Sequence, residues 1–158
     1  MQRVQDDFFE QTYFHPAMAW ADEHDLTLGL SARVIYDSYI HSGSILRIIR
    51  SKFPEKVPSK GGAERAWVTA YVKARHRFLA NHSTLEVRST VYRTRCFSRE
   101  IDHGNRDLSQ LPIDAHGVKV SAALRSRPDS RSRLCVELLG QRAADPLQYR
   151  ARIRLVVA

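Results

Sequence analysis

The chain contains 158 residues, of which 43% are hydrophobic, with only 7 glycines and 6 prolines. This size and composition predict one globular domain with a sizeable core. No apolar run reaches the roughly 20 residues of a membrane span, so we expect no membrane contact, and the first residues do not suggest a signal peptide. Cys96, Cys135 and the 7 histidines show no ligand spacing, so we expect no metal and no cofactor.

The net charge of +8 is concentrated towards the carboxyl end. Residues 1–120 contain 17 basic and 14 acidic side chains, whereas residues 121–158 contain 8 and 3. Because net charge bears on association rather than on fold, the high pI says little about the main body of the chain.

The first half of the chain is predicted to be helical. Residues 3–24 have apolar positions near helical spacing, with a break expected around Pro16 because proline lacks an amide donor. A second helix is predicted from Ser31, a good N-cap residue, and a short one from Ser44 to Phe53. Residues 54–62 contain two prolines and two glycines, which is typical of an exposed loop.

Two further long helices follow. The first is marked by an apolar stripe at helical spacing, made of Trp67, Ala70, Tyr71, Ala74 and Phe78, with Arg75 at its border. The second is predicted from Leu85 to Ile101, with four residues on one face: Arg88, Tyr92, Arg95 and Arg99. We interpret Arg95 and Arg99 as part of a solvated helix face.

Residues 121–158 differ in character from the rest. The stretch up to residue 133 is rich in arginine and serine, which favours a linker or disorder. Residues 149–155 alternate at period two, a pattern typical of a strand that allows a hairpin with residues 134–139. We therefore predict two parts, an all-α lobe in residues 1–120 and an irregular or weakly β basic tail in residues 121–158.

Asp37 is the most informative single residue. It lies inside the apolar run Val34–Gly43, where an ionised carboxylate is costly unless it is paired or serves a site. We therefore expect Asp37 to be paired with a group of opposite charge or to serve a site.

Several short motifs, in this order and spacing, resemble the C-terminal part of the chitosanases of glycoside hydrolase family 46. They are Tyr13–Ala17, Val34–Asp37 with His41 and Gly43, Gly61–Gly62 with Glu64, Tyr71–Arg75, the helix around Arg88, and Gly104–Leu108. The resemblance implies a mostly α-helical, lysozyme-like fold of two lobes, of which this chain forms one. It also implies endo-hydrolysis of β-1,4-linked glucosamine polymers with inversion, a chemistry that needs two carboxyl groups roughly 6.5–9.5 Å apart.

In that family both catalytic carboxyl groups, of a Glu and an Asp, precede anything that matches Met1. The resemblance therefore implies no catalytic residue here and an inactive isolated chain. Asp6, Asp7 and Glu10 match neither motif and are more simply the acidic first turns of a helix. The implied partners are chitosan or glucosamine oligosaccharides and a missing N-terminal lobe, and the implied location is extracellular.

The resemblance assigns Asp37, Arg75 and Arg88 to a salt-bridge network that supports the catalytic pair. The residues agree in part, because Asp37 sits in an apolar run and guanidinium groups suit carboxylates. An ordinary interhelical salt bridge explains the same pattern, so the residues alone leave both readings open. Tyr36 and His41 are candidate neighbours of the substrate cleft.

Two other functions are compatible with the residues alone. One is a non-catalytic sugar-binding module, and the other is a basic helical nucleic-acid binder that uses Arg88, Arg95 and Arg99 together with the arginine-rich tail. The near balance of 17 basic and 14 acidic residues in the body, without a recognised motif, makes nucleic acid the less favoured partner.

Overall fold

The computed structural model describes residues 8–115 and 118–120. The helices in these ranges are α1 (His15–Glu23), α2 (Gly29–Ser42), α3 (Arg47–Arg50), α4 (Glu64–Ala80), α5 (Leu85–Ser89) and α6 (Tyr92–Asp102). A π-helical turn, Glu10–Phe14, precedes α1, and a 3-10 turn, Pro58–Lys60, precedes α4. Strands β1 (Ile113–Ala115) and β2 (Val118–Val120) pair antiparallel, with Ile113 opposite Val120. The described residues are thus mostly helical, as predicted.

The irregularity predicted around Pro16 takes the form of the π-helical turn. The amide of His15 donates to the carbonyl oxygen of Glu10, five residues earlier, and Pro16 then occupies the first turn of α1, where no helical amide bond is needed. Phe14, at the end of the turn, is buried, and its ring lies edge-on to that of Tyr36 with centroids 5.5 Å apart. The turn therefore anchors the start of the lobe to α2.

Helix α2 lies at the centre of the lobe and contacts α1, α4 and α6. Nine of its 14 residues are buried, so it is covered on nearly every side. The stripe predicted on α4 faces it: Trp67 and Tyr71 are at most 1% exposed, and their rings stack with centroids 5.2 Å apart. The aromatic residues of α4 are therefore core residues, as expected.

The N-cap of helix α2 lies three residues earlier than predicted. Its N-cap is Leu28, which offers no side-chain cap, and Ser31 is fully buried instead of capping the helix. The start lies against residues 106–107, since the amide of Leu30 donates to the carbonyl oxygen of Arg106 at 2.9 Å. A Cβ on Gly29 would lie 2.9 Å from the carbonyl oxygen of Asp107, so glycine permits this close approach.

The helix predicted from Leu85 to Ile101 is divided into α5 and α6. At the division, the hydroxyl of Thr90 donates to the carbonyl oxygen of Val87 at 2.6 Å, and that of Thr94 donates to Val91 at 2.9 Å. Threonine hydroxyls compete in this way with helical amide bonds, which favours a break. The two segments consequently do not share one continuous face.

The chain continues into the hairpin of β1 and β2, which the sequence did not predict. The hairpin expected between residues 134–139 and 149–155 lies outside the described residues, as does the whole predicted tail. None of the described helices combines the length and apolar character that crossing a bilayer requires.

Candidate functional site

Asp37 is buried in α2 and is paired with an arginine on each side. Its Oδ2 lies 2.7 Å from Nη1 of Arg75 on α4, and its Oδ1 accepts a hydrogen bond from Nη1 of Arg93 on α6. One carboxylate thus joins three helices, and we call these three residues the Asp37 cluster.

Asp37 is ionised in the folded chain. Burial alone would raise the pKa of its carboxyl group, but the charges of Arg93 and Arg75 outweigh burial and hold the pKa well below its ordinary value. The Asp37 and Arg75 side chains are only 2% and 1% exposed, so water screens their attraction little. The cluster is therefore a buried ion-pair network in which removal of one charge leaves another uncompensated.

The pairing expected between Asp37 and Arg88 is not formed. Arg88 is exposed, and its Nη1 donates to the carbonyl oxygens of His82 at 3.1 Å and Ser83 at 3.5 Å. Arg93 occupies the position expected of Arg88. Arg93 lies one turn before the buried Phe97, on the inner face of α6, whereas Arg88 lies on the exposed side of α5.

Beside the cluster, hydrogen bonds connect α4 to α2. The hydroxyl of Tyr71 donates to Oγ of Ser38 at 2.9 Å, and Oγ of Ser38 donates to the carbonyl oxygen of Val34 at 2.7 Å. Burial raises the pKa of Tyr71, which keeps its hydroxyl protonated as a donor. Nη2 of Arg75 also lies 3.5 Å from the carbonyl oxygen of Asp37. These contacts hold α4 in one register along α2.

The two predicted cleft neighbours occupy different environments. Tyr36 is 1% exposed and packs against Phe14, so its ring belongs to the core and is not open to a ligand. His41 is half-buried, one turn after Asp37, with Nδ1 3.2 Å from Oγ of Ser42. Burial, reinforced by the charges of Arg75 and Arg93, lowers the pKa of His41 to about 4, so its imidazole is neutral at pH 7.

Glu64, which the sequence singled out only as part of a motif, joins the start of α4 to the start of α2. Its Oε1 accepts from the amides of Thr27 at 2.9 Å and Leu28 at 2.8 Å, and its Oε2 accepts from the Thr27 hydroxyl at 3.0 Å. The first residue of α4 thereby holds the two residues that precede α2, including the amide of its N-cap residue Leu28, which has no partner within the helix.

Neither Asp37 nor Glu64 suits the role of a glycosidase proton donor. A proton donor needs a raised pKa, whereas the pKa of Asp37 is lowered by its arginine partners. Asp37 is also shielded from any substrate, and Glu64 is engaged by the start of α2. Among residues 8–115 and 118–120, no three potential ligand side chains are grouped as a metal ion would require.

The family model of glycosyl hydrolase family 46 matches residues 1–113, most of the chain. The chain therefore belongs to this family. No match is found among curated proteins.

Among solved structures, the chain is similar to the family 46 chitosanase of Gynuella sunshinyii in its complex with chitotetraose. The two share 26% identity with a TM-score of 0.65, and the likeness covers 78% of this chain. It covers 56% of that enzyme, so the chain spans little more than half its length. The predicted all-α, lysozyme-like class is confirmed by this likeness.

Proposed function

We propose that the chain forms one lobe of an inverting endo-chitosanase, which hydrolyses β-1,4-linked glucosamine polymers. The observation that carries the proposal is membership of glycosyl hydrolase family 46, together with likeness to an enzyme solved with chitotetraose. Chitosan or a glucosamine oligosaccharide is then the substrate. Such a polymer cannot enter a cell intact, which favours an extracellular site of action.

In this proposal the Asp37 cluster positions the catalytic machinery without touching substrate. Its ion pairs fix α4 and α6 against α2, which holds the three helices at a constant spacing. Its two guanidinium groups carry one positive charge more than the single carboxylate neutralises. A nearby carboxyl group that acts as the base would therefore be favoured in its ionised form.

The two catalytic carboxyl groups are proposed to come from sequence outside these 158 residues. Two findings support this: the related chitosanase is longer, and two acidic residues of the matching motifs, Asp37 and Glu64, are engaged within the lobe. The partner of this lobe is then the lobe that contains them. The isolated chain should release no reducing ends from chitosan above the blank.

A chimera tests the proposal directly. Residues 1–113 would replace the matching segment of the Gynuella sunshinyii chitosanase, and reducing ends released from chitosan would be measured. We expect turnover, because the chimera combines this lobe with the proposed catalytic half. A folded chimera that binds chitotetraose without turnover would instead favour a sugar-binding module.

Two substitutions in the chimera separate positioning from folding. Asp37→Asn should lower kcat by about tenfold or more, since a small displacement of catalytic groups is costly, while KM changes less. Asp107→Asn alters an exposed carboxylate and should leave both constants unchanged. Equal activity of the two variants, both folded by circular dichroism, would remove the positioning role.

A further inference from the structure

A basic groove of about 650 Å³ opens between α4 and α6. Lys73 and Arg77 lie along its α4 side, and Arg95 and Arg99 along its α6 side. Asp102 is the acidic residue of the lining. Arg75 and Arg93 come from the same two helices but pair with buried Asp37, so the groove uses a different set of arginines.

The four cations form two ridges, one on α4 and one on α6. Within each helix the two basic residues are four positions apart, which places them on one face about 6 Å apart along the axis. Lys73, Arg77 and Arg95 are exposed, so their charges face water across an open groove. A single small anion could not contact both ends of both ridges, whereas an extended chain of anions could.

The chemistry of this lining excludes the proposed substrate. Chitosan is polycationic when its amines are protonated, so four basic residues against one acidic residue would repel it. The ring in the lining is that of His76, whose Nδ1 lies 2.9 Å from Oγ1 of Thr94, so a nucleobase would find at most one small stacking surface. The groove therefore suits a polymer that is recognised through its anionic backbone.

We propose that this groove binds the phosphate groups of a linear polyanion, which runs between the two ridges. A tetrahedral phosphate directs oxygens to both sides, so donors on α4 and α6 can reach it together, and arginine binds phosphate through two parallel hydrogen bonds. A planar carboxylate, by contrast, can be bound by a single arginine through two such hydrogen bonds. This site is independent of chitosan hydrolysis and of the Asp37 cluster.

Binding of end-labelled inorganic polyphosphate, followed by fluorescence anisotropy across a salt series, tests the inference. The full chain would be compared with Lys73→Gln/Arg77→Gln and with the control Lys56→Gln/Lys60→Gln. Both double variants remove two exposed positive charges, but only the first removes them from the groove. The basic residues of 121–158 contribute the same background in all three proteins.

We expect the groove variant to bind about tenfold more weakly, with a salt slope reduced by about 1.4 at roughly 0.7 per phosphate contact, and the control to change little. Equal weakening in both variants would overturn the inference, because net charge alone would then explain binding.

Competition identifies the ligand chemistry. Polyglutamate that displaces polyphosphate equally well at matched charge would also overturn the inference, since phosphate would then have no advantage. If oligothymidylate competes as well as polyphosphate, the inference is supported and the phosphate groups belong to a nucleic acid. Failure of oligothymidylate to compete would support it with polyphosphate as the source.

Discussion

Replacing Asp37 with asparagine keeps the size of the side chain and removes its charge. Arg75 then stays in a site that is 1% exposed, without the carboxylate that now lies 2.7 Å away. Breaking a buried ion pair by removing one partner costs about 3–5 kcal/mol, against a total stability of about 5–15 kcal/mol for a typical domain. We therefore expect Asp37→Asn to lose a large part of the free energy of unfolding.

Urea denaturation at pH 7, followed by far-UV circular dichroism, measures this loss. With a slope of about 2 kcal/mol per molar urea, the midpoint should fall by about 1.5–2.5 M. Asp22→Asn, at an exposed position of α1, should leave the midpoint nearly unchanged. Adding Arg75→Gln to Asp37→Asn should recover part of the loss, since the uncompensated charge is removed.

The pH dependence of the free energy of unfolding provides a second test of the buried ion pair. Because the pKa of Asp37 is lowered by folding, its contribution is complete above the ordinary carboxyl pKa of about 3.9 and is lost as the pH falls below it. The difference between wild type and Asp37→Asn should thus be constant from about pH 5 to 8. A loss below about 1 kcal/mol at pH 7 would refute the buried ion pair.

Three further variants test individual contacts within the lobe. The pKa of His41 is lowered to about 4 in the folded state, so protonation of this imidazole favours unfolding. The free energy of unfolding of the wild type should therefore fall by up to about 3 kcal/mol between pH 6.5 and 4. Urea titrations of His41→Gln should lack this pH-dependent loss. Glu64→Gln weakens the hydrogen bonds at the start of α2 and should cost about 1–2 kcal/mol in thermal unfolding; an unchanged midpoint would mean that water replaces them. Gly62→Ala places a Cβ 1.8 Å from the carbonyl oxygen of Lys56 and should cost about 2 kcal/mol or more, whereas wild-type stability would contradict that close approach.

The parts of the fold that depend on local pattern could be predicted from the sequence. The apolar stripe around Trp67 and Tyr71 is the buried face of α4, and the irregularity before Pro16 is present. Asp37 was identified because a charge inside an apolar run needs a partner, and Arg75 proved to be one. Periodicity and the cost of burying charge were sufficient for these features.

The remaining features depend on contacts between distant residues. The start of α2 is set by Glu64, which lies 36 positions away from Leu28, so Ser31 was mistaken for the cap. The resemblance pointed to Arg88, whereas the signal for Arg93 was its position one turn before Phe97, on the apolar side of the helix. Ser89 and Thr90, which favour helix ends, were the available signal for a break.

The start of α2 is clamped from two directions, by Glu64 from α4 and by the carbonyl oxygen of Arg106, while its middle is held by the Asp37 cluster. Fraying from that end would require several segments to separate together. The central amides of α2 should therefore be among the slowest to exchange with deuterium, at a rate governed by global rather than local opening.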